Sequence, residues 1–348
     1  MNVWVTVVVT SMDESDKELL NEIQWTFPLV TRPFDAIAKK FNTTPDDIKN
    51  RLNTLKETGI LRQLSAIFDT RKLGYTSSLV AMEIEDDQLE NVANQINRHP
   101  GVSHNYERDH QFNLWFTLAV PPGSDLKDEL DKFNVLKGIK KVRMLPTLQL
   151  FKIGVKLDMV DDKKHEVAPT EAKKEIKNIK FEATEEDKEF IRELQKDMAI
   201  TDEPFVNAAK NLGITENELF EKMKYYEDIG VMRRFAAILR HRQVGFTANG
   251  MIVWKVPEDR ISKVGETLGS FPQVSHCYER PTYDDWPYNV FSMIHCKTQS
   301  EANEMAKKIQ EQIHVDDYRI LFSSREFKKT RVEYFVENSF SLEETVPV

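Results

Sequence analysis

Two short strings of this chain carry the same trio of side chains, and that trio can move protons and hold anions. Val102-Ser103-His104-Asn105-Tyr106-Glu107-Arg108 returns as Val274-Ser275-His276-Cys277-Tyr278-Glu279-Arg280. His, Tyr and Arg alternate in both copies, so an extended strand sets all three on one face. Imidazole titrates near neutrality and suits general acid or base work. A phenol can relay or donate a proton, and a guanidinium pairs with carboxylates through a planar fork. A fold may repeat an apolar core for stability, but that gives it no reason to repeat a polar triad on a strand face. We expect His276, His104, Tyr278 and Tyr106 to carry proton chemistry, with Arg280 and Arg108 holding an anionic ligand.

The residues after each triad extend the candidate set. His110 continues the first alternation if that strand runs on, and Asn113 and Trp115 follow. The second copy inserts Tyr283-Asp284-Asp285-Trp286-Pro287 before Asn289. Rings beside cations suit a flat anionic ligand, with Tyr283 and Trp286 placed to cover it. The densest basic run, residues 232–242, holds Arg233, Arg234, Arg240 and His241, whereas its counterpart around Arg62 is nearly neutral. The second half is therefore expected to be the stronger anion binder. A single Trp or Tyr is more often core, and a basic strand is more often a solvated face. Their concentration around a doubled triad is what favours a ligand.

The elements that must position these groups are themselves duplicated. Asp16-Lys17-Glu18 matches Asp187-Lys188-Glu189, Pro33-Phe34 matches Pro204-Phe205, and Gly59, Arg62 and Gly74 match Gly230, Arg233 and Gly245. After the insertion, Asn113, Arg143 and Phe151-Lys152 match Asn289, Arg319 and Phe327-Lys328. A period this long means two homologous halves, not a solenoid of short units. Each half opens with three helical patterns: Leu19, Leu20, Ile23 and Phe27 in one, Phe190, Ile191, Leu194 and Met198 in the other. Prolines suit the start of each second helix, Thr44 and Thr215 the N-caps of each third, and Gly59 and Gly230 their ends. A strand follows at 60–69 and at 231–240. In the first half, strands at 77–84, 102–108, 113–120 and 141–145 then alternate with helices at 89–98 and 126–133. That βαββαβ order is a ferredoxin-like sandwich, and the second half runs the same way from 250 to 321.

The expected fold class is α+β, a tandem of helix-turn-helix unit plus ferredoxin-like domain forming an internal pseudo-dimer. The divisions are an extension 1–14, units at 15–75 and 183–246, ferredoxin-like domains at 76–157 and 247–335, a charged linker 158–182 and a tail 336–348. With 348 residues the chain is long enough for several cores. A net charge of −9 argues against a phosphate-backbone binder, which shows a basic face. Two cysteines, Cys277 and Cys296, cannot supply a four-cysteine metal site. The apolar start, residues 3–9, is too short to span a bilayer, so a cytoplasmic protein without membrane attachment is expected.

A helix-turn-helix followed by a ferredoxin-like domain resembles the Lrp/AsnC family of ligand-responsive transcription regulators. DNA binding is nevertheless not expected. The third helices begin Thr44-Pro45-Asp46-Asp47 and Thr215-Glu216-Asn217-Glu218, carboxylates of the wrong sign for phosphate. Several longer strings resemble the siroheme decarboxylase family more closely. Phe27-Pro28-Leu29, Arg32-Pro33-Phe34, residues 101–108 and 113–119 look like one subunit. Residues 232–242, Gly245-Phe246-Thr247-Ala248-Asn249, Cys277-Tyr278-Glu279-Arg280-Pro281 and Asp285-Trp286-Pro287-Tyr288-Asn289 look like its partner, so the chain resembles a natural fusion.

This resemblance implies loss of the carboxyls of two pyrrole acetates of siroheme, giving didecarboxysiroheme for an alternative haem route. It implies no cofactor beyond the substrate's iron and no metal of the protein's own, with His276, His104 and His110 as candidate axial ligands. The arginines Arg62, Arg108, Arg233, Arg234, Arg240 and Arg280, with His241, Asn113, Asn289, Trp115 and Trp286, would bind the substrate. The partner expected is siroheme, with an internal pseudo-heterodimer that leaves room for assembly into a further homo-oligomer. A regulator of transcription and a non-catalytic haem-binding sensor are the competing readings.

Overall fold

The computed structural model describes residues 12–153, 181–239, 248–296 and 298–336. Most of the expected linker, extension and tail, and the segment holding Arg240 and His241, lie outside the described residues. In each half three short helices come first: α1 (Glu14–Ile23), α2 (Pro33–Lys40) and α3 (Pro45–Glu57), then α6 (Glu185–Leu194), α7 (Val206–Asn211) and α8 (Glu216–Asp228). Thr44 and Thr215 cap α3 and α8 by accepting from the third backbone N–H. Gly59 and Gly230 end them at φ of 74° and 73°, a region that favours glycine. Strand β1 (Leu61–Phe68) then pairs antiparallel with β7 (Met232–Leu239), joining the two helical units. Their apolar faces form one core, in which Phe27 meets both Phe205 and Phe235.

The ferredoxin-like parts follow the expected order. The first is β2 (Thr76–Ile84), α4 (Leu89–Asn97), β3 (Val102–Arg108), β4 (Leu114–Val120), α5 (Leu126–Asp131) and β5 (Ile139–Pro146). The second is β8 (Ala248–Trp254), α9 (Ile261–Ser270), β9 (Val274–Glu279), β10 (Val290–Cys296), α10 (Gln299–Ile313) and β11 (Tyr318–Lys329). One strand lies outside the sequence expectation, β6 (Gln149–Ile153), and it explains how the halves join. Strand β6 leaves the first half to pair with β9, while the far end of β11 leaves the second half to pair with β3. The nine strands run β5-β2-β4-β3-β11-β8-β10-β9-β6, and the two edge strands β5 and β6 are separated by only two residues. That short link brings the end of one edge strand to the start of the other, so the sheet folds back on itself, although β5 and β6 do not pair with each other.

Helices cover the outside of this wrapped sheet over two aliphatic cores. Its inside is lined by Phe112, Trp115, Trp286, Tyr288 and Phe291. Gly265 of α9 marks the exchange, because a Cβ there would stand 2.4 Å from the ring of Phe151 on β6. The duplicated sequence thus gives a pseudo-dimer whose halves lend each other a strand.

Candidate active site

Both triads lie on the strands that receive an exchanged neighbour. A β-bulge sets their direction. Val102 pairs with Leu118 but His104 with Thr117, and likewise Val274 with Ile294 but His276 with Met293. Val102 and Val274 sit in the helix-side cores. The extra residue, Ser103 or Ser275, turns the histidine to the opposite face, where Tyr and Arg follow it by simple alternation. Asn105 and Cys277 remain on the helix side: Asn105 donates to the Ala93 carbonyl at 3.3 Å and to Asn97 Oδ1 at 2.9 Å, and Cys277 packs in the core. The sequence-level face assignment holds, with the bulge as the device that begins it.

The three members of a triad differ in depth. Arg108 and Arg280 are only 6% and 9% exposed. Arg108 Nη1 donates to the Leu321 carbonyl at 2.6 Å, and Arg280 Nη1 donates to the Leu145 carbonyl. Each carries a neighbouring phenol, Tyr106 at 5.8 Å and Tyr278 at 4.9 Å from the guanidinium carbon. Burial lowers both arginines to about 10, so they remain cations at neutral pH. Such groups cannot swing out as surface clamps; they supply a fixed positive charge beneath the tyrosines. Burial pushes the Tyr278 hydroxyl up against the opposing pull of Arg280, Arg71 and Arg233, so it keeps a proton to donate. Each histidine is half-buried and held by the bulged serine, with Ser103 Oγ 3.0 Å from His104 Nδ1 and Ser275 Oγ 2.8 Å from His276 Nδ1.

A cluster of cations faces the second triad. Arg71 and Arg233 act on Tyr278, and Arg62, Arg233 and Arg234 act on Arg331. Arg331 is held to about 10 by burial and reaches the Ala66 carbonyl at 3.5 Å. Arg233 donates Nε and Nη2 to Asp69 Oδ2 at 3.1 and 2.6 Å, and the Arg234 guanidinium lies 4.3 Å from the Trp25 ring. Burial alone would raise the Asp69 carboxyl. The Arg233 bond and charge, with the Lys72 and Arg71 backbone N–H groups, outweigh it and hold the carboxyl below the usual range. Strands β1 and β7 and the segments after β1 and β11 therefore bring Arg71 and Arg233 within electrostatic reach of Tyr278, and Arg62, Arg233 and Arg234 within reach of Arg331, with Arg233 common to both. Arg71 and Arg331 were not singled out in the sequence: Arg71 stands beside Lys72 and Arg331 just after Lys328 and Lys329, ordinary surface charge until the fold gathers them.

Other sequence candidates belong to the frame. Strand β3 ends at Arg108, so His110 does not extend the alternation. It sits in the turn, accepts the Phe112 N–H at 3.0 Å and stacks on Phe112, and burial lowers its pKa. Trp115 and Trp286 are each 1% exposed, with ring centroids 5.1 Å apart inside the wrapped sheet. Trp286 therefore packs in the sheet interior, not at the exposed tip of its hairpin. Tyr283 donates its hydroxyl to the Met144 carbonyl at 2.6 Å, and Asp285 takes Arg143 Nε and Nη2 at 2.9 and 2.7 Å. The inserted hairpin thus ties the second half to β5. Asn113 bonds both main-chain groups of Ile84 and Asn289 both of Val256, which spends their amides on strand alignment.

The third helices have little charge to spare for nucleic acid. On α3, Arg51 pairs with Asp13, Asp16 and Asp47, Lys49 with Asp46 and Asp202, and Lys56 with Asp197. On α8, Lys222 pairs with Glu186 and Asp187. Among the described residues no helix is long and apolar enough to cross a membrane.

Comparison with known proteins agrees with this architecture. Residues 72–152 and 243–328 match the AsnC-like ligand binding domain, and residues 16–62 and 187–233 match the siroheme decarboxylase NirDL-like HTH domain. The chain is 42% identical over 326 residues to a siroheme decarboxylase of Hydrogenobacter thermophilus, covering 93% of this chain and 96% of that protein. It is 45% identical over 146 residues to a siroheme decarboxylase beta subunit of Methanosarcina barkeri, covering 42% of this chain and 96% of that one. The crystal structure of the siroheme decarboxylase NirDL in co-complex with an iron-uroporphyrin III analogue superposes with a TM-score of 0.73 at 37% identity, covering 94% of this chain and 96% of that one.

Proposed function

The chain belongs to the siroheme decarboxylase family, and we propose that it removes, as a carboxy-lyase, the carboxyls of two acetate side chains of siroheme. The observation that carries this reading is the arginine cluster beside the second triad. Like charges gathered in the partly dry junction between sheet and helices repel one another, and Arg331 is already depressed by its burial and, beyond that, by Arg234, Arg62 and Arg233. A substrate bearing many carboxylates relieves that repulsion.

The chemistry asks for little else. An acetate on a protonated pyrrole ring breaks its bond to the carboxyl carbon, and the ring takes the electron pair as carbon dioxide leaves. The methylene carbon then accepts one proton and becomes a methyl group, and the ring gives up the proton it held, so the net uptake is one proton per carbon dioxide lost. Positioned cations hold the remaining carboxylates in register for this step. His276 and His104 have the right kind of group for the acid, and Tyr278, kept protonated by its surroundings, can donate or relay. Arg280 and Arg108 fix positive potential under the phenols. No redox cofactor and no metal of the protein's own enters this scheme, since the iron arrives with the substrate. Both subunit-like halves are in one polypeptide, so the internal pseudo-heterodimer acts without a second protein. Didecarboxysiroheme then serves an alternative haem route in the cytoplasm.

The test is anaerobic incubation of the purified single chain with siroheme, read by mass spectrometry. Two losses of carbon dioxide are expected. An unchanged mass with only a spectral shift would instead favour a haem-binding sensor. Activity only after adding another protein would end the single-chain reading.

A further inference from the structure

We infer that Ser275 and His295 form a proton feed to His276, a device that the first half lacks. The inference rests on reading His276 as the acid of the proposed reaction. Ser275 Oγ lies 2.8 Å from His276 Nδ1 and 2.8 Å from His295 Nε2. A hydroxyl has one proton to give, so between two imidazoles it donates to one and accepts from the other. With Ser275 donating to His276 Nδ1, the His276 proton stands on Nε2, the ring nitrogen turned away from the serine. His295 Nε2 then donates to Ser275. The Met293 carbonyl is a competing acceptor for this hydroxyl, but at 3.3 Å it is the longer contact.

The fold holds this chain of three groups in place. His295 lies on β10 two residues beyond Met293, on the strand face away from the core residues Ile294 and Cys296. It is half-buried, so one side of the ring is fixed by Ser275 while part of it meets solvent. The bulge places Ser275 between the two rings: without the extra residue the serine would not stand beside His276 on the opposite face from Val274. In the first half Ser103 meets His104 at 3.0 Å, but the residue in the His295 register is Ala119, which is buried in the core under the helices.

The stoichiometry calls for such a feed. Each acetate that leaves as carbon dioxide takes up one proton at carbon, so two losses consume two protons. When His276 Nε2–H passes to the methylene carbon, Nδ1 takes the serine proton and the serine takes that of His295, which recovers one from water. The relay lets His276 give up its Nε2 proton without becoming an imidazolate; before the second loss the proton on Nδ1 passes back through Ser275 to His295 while Nε2 takes one from solvent, so the net uptake is one proton per carbon dioxide. His295 and Ser275 are positioning residues that act through His276.

The experiment uses the full chain and siroheme, comparing wild type with Ser275→Ala, His295→Ala and the double variant. Each single variant is expected to lower kcat about tenfold with siroheme affinity unchanged in a spectral titration. The double variant is expected to be no slower than Ser275→Ala, because both changes break one chain. Added imidazole is expected to restore rate to His295→Ala but not to Ser275→Ala. Single-variant rates within twofold of wild type, losses that multiply in the double variant, or weaker binding in proportion to the lost rate would each overturn the feed. A wild-type chain that leaves siroheme intact would instead overturn the proposed function itself.

Discussion

The two triads share a strand, a bulge, a serine and a buried arginine, yet their surroundings differ. His276 is linked through Ser275 to a second imidazole, whereas His104 has Ser103 and, in the matching register, the methyl of Ala119. Tyr278 feels Arg71 and Arg233 as well as Arg280. Strand β11, beside the first triad, carries charges of both signs: Glu326 and Lys329 oppose Tyr106 and His104, and Arg325 binds Glu107 and Glu90. Duplication kept the triad, its bulge and its serine in both halves. The flanking residues, which the fold does not dictate, are where the halves parted.

The sharpest way to break this comparison is to remove each histidine in turn. His276→Ala is expected to cost about a hundredfold to ten-thousandfold in kcat, the usual worth of a general acid. His104→Ala is expected to slow the reaction less, or to stall it after one carboxyl, which mass spectrometry of the product distinguishes. Equal losses would make the halves functionally equivalent. Next in size is substrate affinity. Arg233→Ala is expected to weaken siroheme binding by about 1.5–3 kcal/mol, the value of a lost charge-assisted hydrogen bond, and Arg62→Ala by less. A titration showing the reverse order would move the anion site to the first half.

Smaller effects concern the frame. Arg143→Ala removes the fork on Asp285 that ties the inserted hairpin to β5, and is expected to lower stability to urea by about 1 kcal/mol with siroheme affinity unchanged. The smallest is pH-dependent. The Asp69 carboxyl lies below its ordinary value through Arg233, so its contribution is full above about pH 4 and fades as pH falls through the native value. Asp69→Asn is expected to remove that part of the acid-side slope. An unchanged slope would mean the pair is too solvated to matter.

Much of this was legible in the sequence. The repeat fixed two equivalent halves, alternation put His, Tyr and Arg on one face, and Thr44, Thr215, Gly59 and Gly230 marked the third helices. What stayed hidden depended on distance in space. Strand β6 reads as a continuation of β5, and nothing local says that it crosses to β9. The depth of Arg108 and Arg280 follows from carbonyls on strands far away in the chain. Trp286 has an aromatic neighbourhood in sequence that suits a ligand lid, but its ring is claimed by Trp115 and Phe112 from the other half. His295 was not singled out in the sequence, because Ser275 is brought to it only by the sheet.

The strand exchange also sets an order in time. Arg280 donates to Leu145, 135 positions earlier, so that carbonyl is already made when the arginine leaves the ribosome. Arg108 donates to Leu321, 213 positions later. At roughly 5–20 residues per second, the first half waits about 10–40 s for the strand that completes it. During synthesis the edge of β3 and an arginine meant for a dry site stand open. The first half is thus the stretch longest exposed to mispairing, and β3 has no β11 to pair with until the last strand is made.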